Sequence, residues 1–139
     1  MKQARLMKAL ADETRLRVMN LLLTAKVPLC VCEMVDALNL PQYLVSRHLV
    51  ILKNVELVKV EKKGTWAYHS LENEGGANAT VIVFLRAFLA GERFEQDRTQ
   101  LEKRLRLRKA GKCVVGFPLA EKPFRNRLEG RPMPAKVRV

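Results

Sequence analysis

The segment VCEMVDALNLPQYLVSRHLVILK, Val31 to Lys53, carries two stretches of helical apolar spacing separated by Asn39-Leu40-Pro41. The spacing predicts a helix of two turns over Val31 to Leu38 and a second over Gln42 to Lys53, with Pro41 tolerated at or before a first helical residue. Within the second helix Val45, Leu49 and Leu52 lie four and three residues apart and form one inward stripe. Tyr43, Ser46, Arg47 and Val50 fall on the opposite side, and Gln42 stands at the exposed start. Two short helices across a three-residue turn read as a helix-turn-helix.

The residues that follow strengthen this reading. Val58 and Val60 alternate with Lys59 and Glu61, Lys62-Lys63-Gly64-Thr65 supplies a basic turn, and Trp66 to His69 reads as the returning strand. That is a β-hairpin wing with a cationic tip. The expected fold is therefore mainly α with a small β-hairpin, a winged helix-turn-helix. Before the pair, Leu6, Met7 and Leu10 mark a short first helix, Asp12 suits an N-cap, and Thr14 to Leu23 makes a second helix. After the wing and Gly75-Gly76, Ala79 to Leu89 presents Val81, Phe84, Leu85, Phe88 and Leu89 along one side. The charged stretch Glu92 to Lys109 continues as helix, and residues 111–139 hold four of the six prolines and read as an irregular extension. We divide the chain into residues 1–90, a DNA-binding and dimerisation unit, and residues 91–139, a basic C-terminal extension containing Cys113.

The 139 residues carry a formal net charge of +12, unevenly spread. Residues 1–90 have 12 Lys/Arg against 8 Asp/Glu, and residues 91–139 have 14 against 6, so the surplus rises from +4 to +8. Charge of this sign attracts a polyanion by counterion release without choosing a sequence. The longest late apolar run, Val81 to Leu85, ends at Arg86, far short of a bilayer span. The opening Met1-Lys2-Gln3-Ala4-Arg5 lacks the apolar run of a secretory signal, so a cytoplasmic chain with reduced thiols and no membrane partner is expected. No nucleophile-and-base pair, carboxylate pair or phosphate loop is visible, which argues against an enzyme and against an organic cofactor.

Recognition helices present their N-terminal residues to base edges in the major groove, and Gln42, Tyr43, Ser46 and Arg47 supply suitable chemistry there. Lys62 and Lys63 at the wing tip suit phosphates rather than bases. The bland alternatives are a solvated helix face and a soluble turn; the adjoining hairpin decides for double-stranded DNA. Trp66 and Tyr68 read as packing groups, and His48 and His69 lack the spacing of a metal site.

Four motifs, Ala11-Asp12-Glu13-Thr14-Arg15-Leu16, Leu29-Cys30-Val31-Cys32-Glu33, Ser46-Arg47-His48-Leu49 and Gly64-Thr65-Trp66-Ala67-Tyr68, occur in that order. Together they resemble the ArsR/SmtB family of metal- and metalloid-responsive repressors over roughly residues 4–90. The resemblance implies a homodimer with its first and last helices at the subunit interface, and an operator of two inverted half-sites. It would make Leu6, Val81, Phe84, Leu85 and Phe88 interface residues.

Cys30-x-Cys32 stands where that family places its cysteine sensor motif. Residues two apart on a regular helix point about 200° from each other, so both sulfurs can grip one ion only if Cys30 precedes the helix. A helix N-terminus should also favour the thiolate. The arsenic version of the family motif has a third cysteine three positions after the second, where this chain has Val35; Cys113, from the same or the other subunit, is the remaining donor. The family's histidine-carboxylate site finds no histidine between Ala79 and Asp97, and the N-terminal cysteine of its cadmium and lead site is absent. The resemblance thus leaves arsenite or antimonite as the inducer, bound by Cys30, Cys32 and Cys113. Two other readings of the thiols stay open: small buried packing groups in a winged-helix protein without metal sensing, or a redox-responsive repressor in which Cys30 or Cys32 pairs with Cys113.

Overall fold

The structure, a computed structural model, describes residues 1–72 and 76–113. Six helices and three strands follow in the order α1 (Lys2–Leu10), α2 (Glu13–Thr24), β1 (Leu29–Cys30), α3 (Val31–Leu38), α4 (Gln42–Asn54), β2 (Val58–Lys63), β3 (Trp66–Leu71), α5 (Gly76–Phe88) and α6 (Glu92–Leu105). Helices α3 and α4 with the β2–β3 hairpin form the winged helix-turn-helix. The expected wing is extended by a third strand, because Leu29 and Cys30 pair antiparallel with His69 and Tyr68 and give the order β1-β3-β2. Two residues are too short a run to show strand alternation, which is why the hairpin alone was legible.

Local chemistry sets the helix boundaries. The Asp12 side chain accepts from the Arg15 N–H at 3.1 Å and caps α2. Asn39 closes α3 in the left-handed conformation (φ 56, ψ 47), which asparagine tolerates better than most residues, and its N–H reaches the Val35 carbonyl at 2.8 Å. Pro41 then stands at the N-cap of α4.

Helix α2 runs through the centre of the core, with Val18, Met19 and Leu21 fully buried. Around it pack Met34 and Leu38 of α3, Val45, Leu49 and Leu52 of α4, and Leu57 ahead of the wing. The core also crosses the boundary expected at residue 90, since Leu101 of α6 is buried in it and Phe94 and Leu105 pack against it. Ion pairs fasten α6 to the body. Arg17 donates to both Asp97 oxygens at 2.8 and 2.9 Å, and Asn20 donates to the Phe94 carbonyl at 3.1 Å. Residues 114–139 of the expected extension, and Gly75, lie outside the described residues.

Helix α5 divides its apolar residues differently from the single stripe expected. Ile82, Leu85 and the following Leu89 point into the core, whereas Val83, Phe84 and Phe88 are exposed, the two phenyl rings stacked at 4.8 Å. Leu6 of α1 is likewise buried in the chain's own core, and Val81 is partly buried against it. Leu6 and Leu85 are therefore interior groups of one protomer rather than surface groups. A run such as Val81-Ile82-Val83-Phe84-Leu85 is apolar on every side, so its period cannot orient the helix.

Candidate metal centre and nucleic-acid interface

Three cysteines 83 positions apart at the extremes converge on one point. Cys30 ends β1 and stands at the N-cap of α3 in extended backbone (φ −80, ψ 155), while Cys32 is in the helix's first turn. The break in conformation between them removes the 200° divergence that a continuous helix would impose. The third sulfur arrives from the far end of the chain. After α6, Lys109 and Lys112 exchange backbone hydrogen bonds of 3.0 Å around Ala110 (φ 53) and Gly111 (φ 73). Positive φ at both central residues is the pattern of a type I′ turn, which reverses the chain most tightly. Cys113 is returned to the body, where its N–H donates to the Tyr68 hydroxyl at 3.3 Å.

The Sγ atoms of Cys30, Cys32 and Cys113 all lie within 4.8 Å of one another, and Cys32 and Cys113 are in contact at 3.5 Å. All three are buried, with Tyr68 beside them. Two sulfurs each about 2.3 Å from a single ion sit about 3.8 Å apart at a tetrahedral angle, so the cluster needs only small side-chain rotations to close on one. Soft thiolates favour soft ions, and a structural zinc site takes four ligands. Among the described residues this cluster supplies three. A three-coordinate, thiophilic centre fits the donor set.

Glu33 organises the approach of both chain ends. Its carboxylate, fully buried, accepts the Cys30 N–H at 2.9 Å and grips Arg108 through both oxygens at 2.7 Å. Arg108 also donates to the Pro28 carbonyl at 2.7 Å and lies over the Tyr68 ring. One turn earlier on α6, Arg104 pairs with Asp36 and places a guanidinium nitrogen 3.6 Å from the Cys32 sulfur. The spacing Cys30-x-x-Glu33 is that of a capping box with a thiol in place of the hydroxyl, a signal that could have marked Glu33 from sequence. Arg104 and Arg108 had no such signal, because their partners lie 68 and 75 residues away.

The expected thiolate is not what the cluster favours when it holds no ion. The hydrogen bond with the Cys30 thiol and burial push the Cys32 thiol well above its ordinary pKa, against the opposing contacts of Cys113 and Arg104. Three sulfurs crowded in apolar surroundings are held as neutral thiols, and this outweighs the helix terminus.

On α4, Tyr43 and Arg47 are exposed, with Gln42 and Ser46 half-buried between them and the body, while Val45, Leu49 and Leu52 point inward. His48 faces Arg15 at 2.9 Å. Lys62 and Lys63 are exposed on β2; the Lys63 ammonium lies 3.4 Å from Glu61 and 6.0 Å from the Tyr68 ring centroid. β3 therefore links the wing to the cysteine cluster through Tyr68. No helix among the described residues is long and apolar enough to cross a membrane.

The profile of bacterial regulatory proteins of the arsR family matches residues 12–60, from the cap of α2 through the first residues of the wing. The chain is 40% identical over 73 residues to an HTH-type transcriptional regulator of Methanocaldococcus jannaschii, covering 52% of this chain and 81% of that protein. It is 45% identical over 67 residues to the arsenic resistance transcriptional regulator ArsR1 of Pseudomonas putida, covering 48% of this chain and 52% of that one. To the arsenical resistance operon repressor of Escherichia coli it is 41% identical over 78 residues, covering 56% of this chain and 66% of that one. The chain thus spans between about half and two thirds of the arsenic-resistance relatives' length. Cys113 lies well beyond the part that the family profile covers. The winged helix-turn-helix, the Asp12 cap, the Cys30-x-Cys32 entry to α3 and these similarities agree, and the chain belongs to the ArsR family of regulatory proteins.

Proposed function

We propose that this protein is an operator-binding transcriptional repressor released by trivalent arsenic or antimony. The observation that carries the reading is the convergence of the Cys30, Cys32 and Cys113 sulfurs within 4.8 Å. The relatives named for arsenical resistance support it. Arsenite, As(OH)3, meets three neutral thiols; three As–O bonds are exchanged for three As–S bonds, and each thiol proton leaves on a hydroxide as water. Arsenic remains trivalent throughout.

Capture ties β1, the first turn of α3 and the segment after α6 to a single atom. Cys30 is paired with Tyr68 of the wing and Cys32 is in the helix packed on α4, so contraction of the cluster acts on both DNA-contacting elements. Gln42, Tyr43, Ser46 and Arg47 meet base edges, and Lys62 and Lys63 meet phosphates. Two copies joined through the exposed face of Val83, Phe84 and Phe88 place two α4 helices on inverted half-sites. Linkage is reciprocal, and a typical coupling of about 1–3 kcal/mol lowers operator affinity about 5- to 150-fold on arsenite binding.

The test is an anisotropy titration of an inverted-repeat operator with and without arsenite, for wild type, Cys30→Ser, Cys32→Ser and Cys113→Ser. Each variant should keep its operator affinity and lose most of the arsenite response; a wild-type response below twofold refutes the proposal. A second reading, a thiol-redox repressor, is favoured by the 3.5 Å contact between Cys32 and Cys113. A hydroperoxide would take two electrons from the two thiols, forming the disulfide, an alcohol and water. Operator release by peroxide with no response to arsenite would select it.

A further inference from the structure

A groove of about 650 Å³ opens beside the cysteine cluster, with Cys113 in its wall. Val27 and Pro28, ahead of β1, form one side, and Trp66 and Tyr68 of β3 form the other. Trp66 packs directly against the buried cluster. Two of the cationic side chains that reach the groove are already engaged, Arg108 with Glu33 and Lys63 with Glu61. Inorganic arsenic, once bound by three sulfurs, has no use for such a space. A ligand that carries an apolar group on the metalloid does.

We propose that the site also takes monosubstituted trivalent arsenicals, with an aryl substituent seated in this groove and the arsenic held by Cys32 and Cys113. The inference rests on the metalloid reading above and extends its ligand class. An aryl arsenical, ArAs(OH)2, has one As–C bond that does not exchange and two hydroxides that do. Two As–O bonds break, two As–S bonds form, and the two thiol protons leave on the hydroxides as two waters; no oxidant or reductant enters. The natural pair is the one already in contact, Cys32 and Cys113 at 3.5 Å. Because Cys113 belongs to the groove wall, the third bond of the arsenic has the groove open to it. Cys30 then has no arsenic bond to make. Pockets of this size lined by aromatic side chains suit a flat apolar ring, which gains offset stacking beyond its buried area.

The experiment titrates phenylarsine oxide and arsenite separately into the full chain, following the emission of Trp66, the single tryptophan, and the stoichiometry by native mass spectrometry. Wild type should bind one equivalent of each, with the larger change in Trp66 emission on phenylarsine oxide. Cys30→Ser should lose arsenite affinity about 10- to 100-fold and keep phenylarsenical affinity within about threefold. Val27→Phe fills the groove from a residue that is 45% exposed and outside the thiol cluster, so the fold tolerates it. It should weaken the phenylarsenical at least about fivefold and leave arsenite within about twofold. Equal effects of Val27→Phe on the two ligands, an unchanged phenylarsenical affinity in that variant, or loss of both ligands in Cys30→Ser overturns the assignment. Wild type that binds arsenite and not the phenylarsenical overturns this inference alone, and wild type that binds neither overturns the metalloid reading with it.

Discussion

Replacing Glu33 by Gln tests whether the thiol cluster is held ready by its surroundings. The carboxylate makes three hydrogen bonds, one from the Cys30 N–H at 2.9 Å and two from Arg108 at 2.7 Å. An amide can still accept from Cys30, but its NH2 faces the guanidinium and its charge is gone. Removing one partner of a buried pair costs about 3–5 kcal/mol. Arg108 keeps the Pro28 carbonyl as an acceptor, so the lower end, about 3 kcal/mol, applies. Urea unfolding followed by Trp66 emission measures that loss. The functional consequence follows from position: Arg108 is five residues before Cys113, and releasing it frees the arm that delivers the third sulfur. Changes to groups that orient metal ligands typically cost 10- to 100-fold in affinity, and arsenite affinity should fall by about that factor. Operator affinity at a temperature where the variant is folded should stay within about threefold, because α4 is untouched. A stability loss below about 1 kcal/mol with arsenite affinity unchanged within twofold would refute the reasoning.

Four further outcomes are expected. Gly111→Val, at φ 73 with nothing within 4 Å of a built Cβ, places a β-branched residue in the left-handed region at about 1–2 kcal/mol and should lower arsenite affinity about tenfold, whereas Gly111→Asn recovers most of it; equal titrations for both variants would show that backbone strain is not the cause. The raised Cys32 thiol makes arsenite capture proton-neutral, so its affinity stays flat between about pH 6 and 8, whereas zinc, which must displace up to three protons, weakens up to about a thousandfold per unit of acidification; isothermal titration at several pH values in two buffers checks both. The same shift makes stability decline as pH rises past about 8.5, where the unfolded thiol ionises and the folded one keeps its proton, which urea midpoints at pH 8 and 10 will show or deny. Arg47→Ala should weaken an inverted-repeat operator by about 1–3 kcal/mol with random DNA nearly unaffected, while Lys63→Ala weakens both alike; the opposite pattern in competition assays exchanges their roles. Phe84→Asp puts a charge on the exposed ring pair and should yield a monomer in sedimentation, and a persistent dimer places the interface elsewhere.

The DNA-facing half of the molecule is legible because its determinants are local. Asp12, Asn39 and Pro41 cap and break helices within a few residues of themselves, and Val45, Leu49 and Leu52 repeat at the helical period. Cys30 and Cys32 could be read as a pair for the same reason, down to the need for Cys30 to precede the helix. What folding alone decided is how distant segments meet. Cys113 joins the pair through Glu33–Arg108 and Arg17–Asp97 contacts spanning 75 and 80 residues, and no periodicity records a contact of that range. The side of α5 that faces inward, and the protonated state of Cys32, were likewise set by neighbours on other elements. Local sequence specifies backbone conformation through sterics and hydrogen bonds a few residues long, whereas a site built from both ends of a chain exists only once burial and charge pairing have chosen one packing.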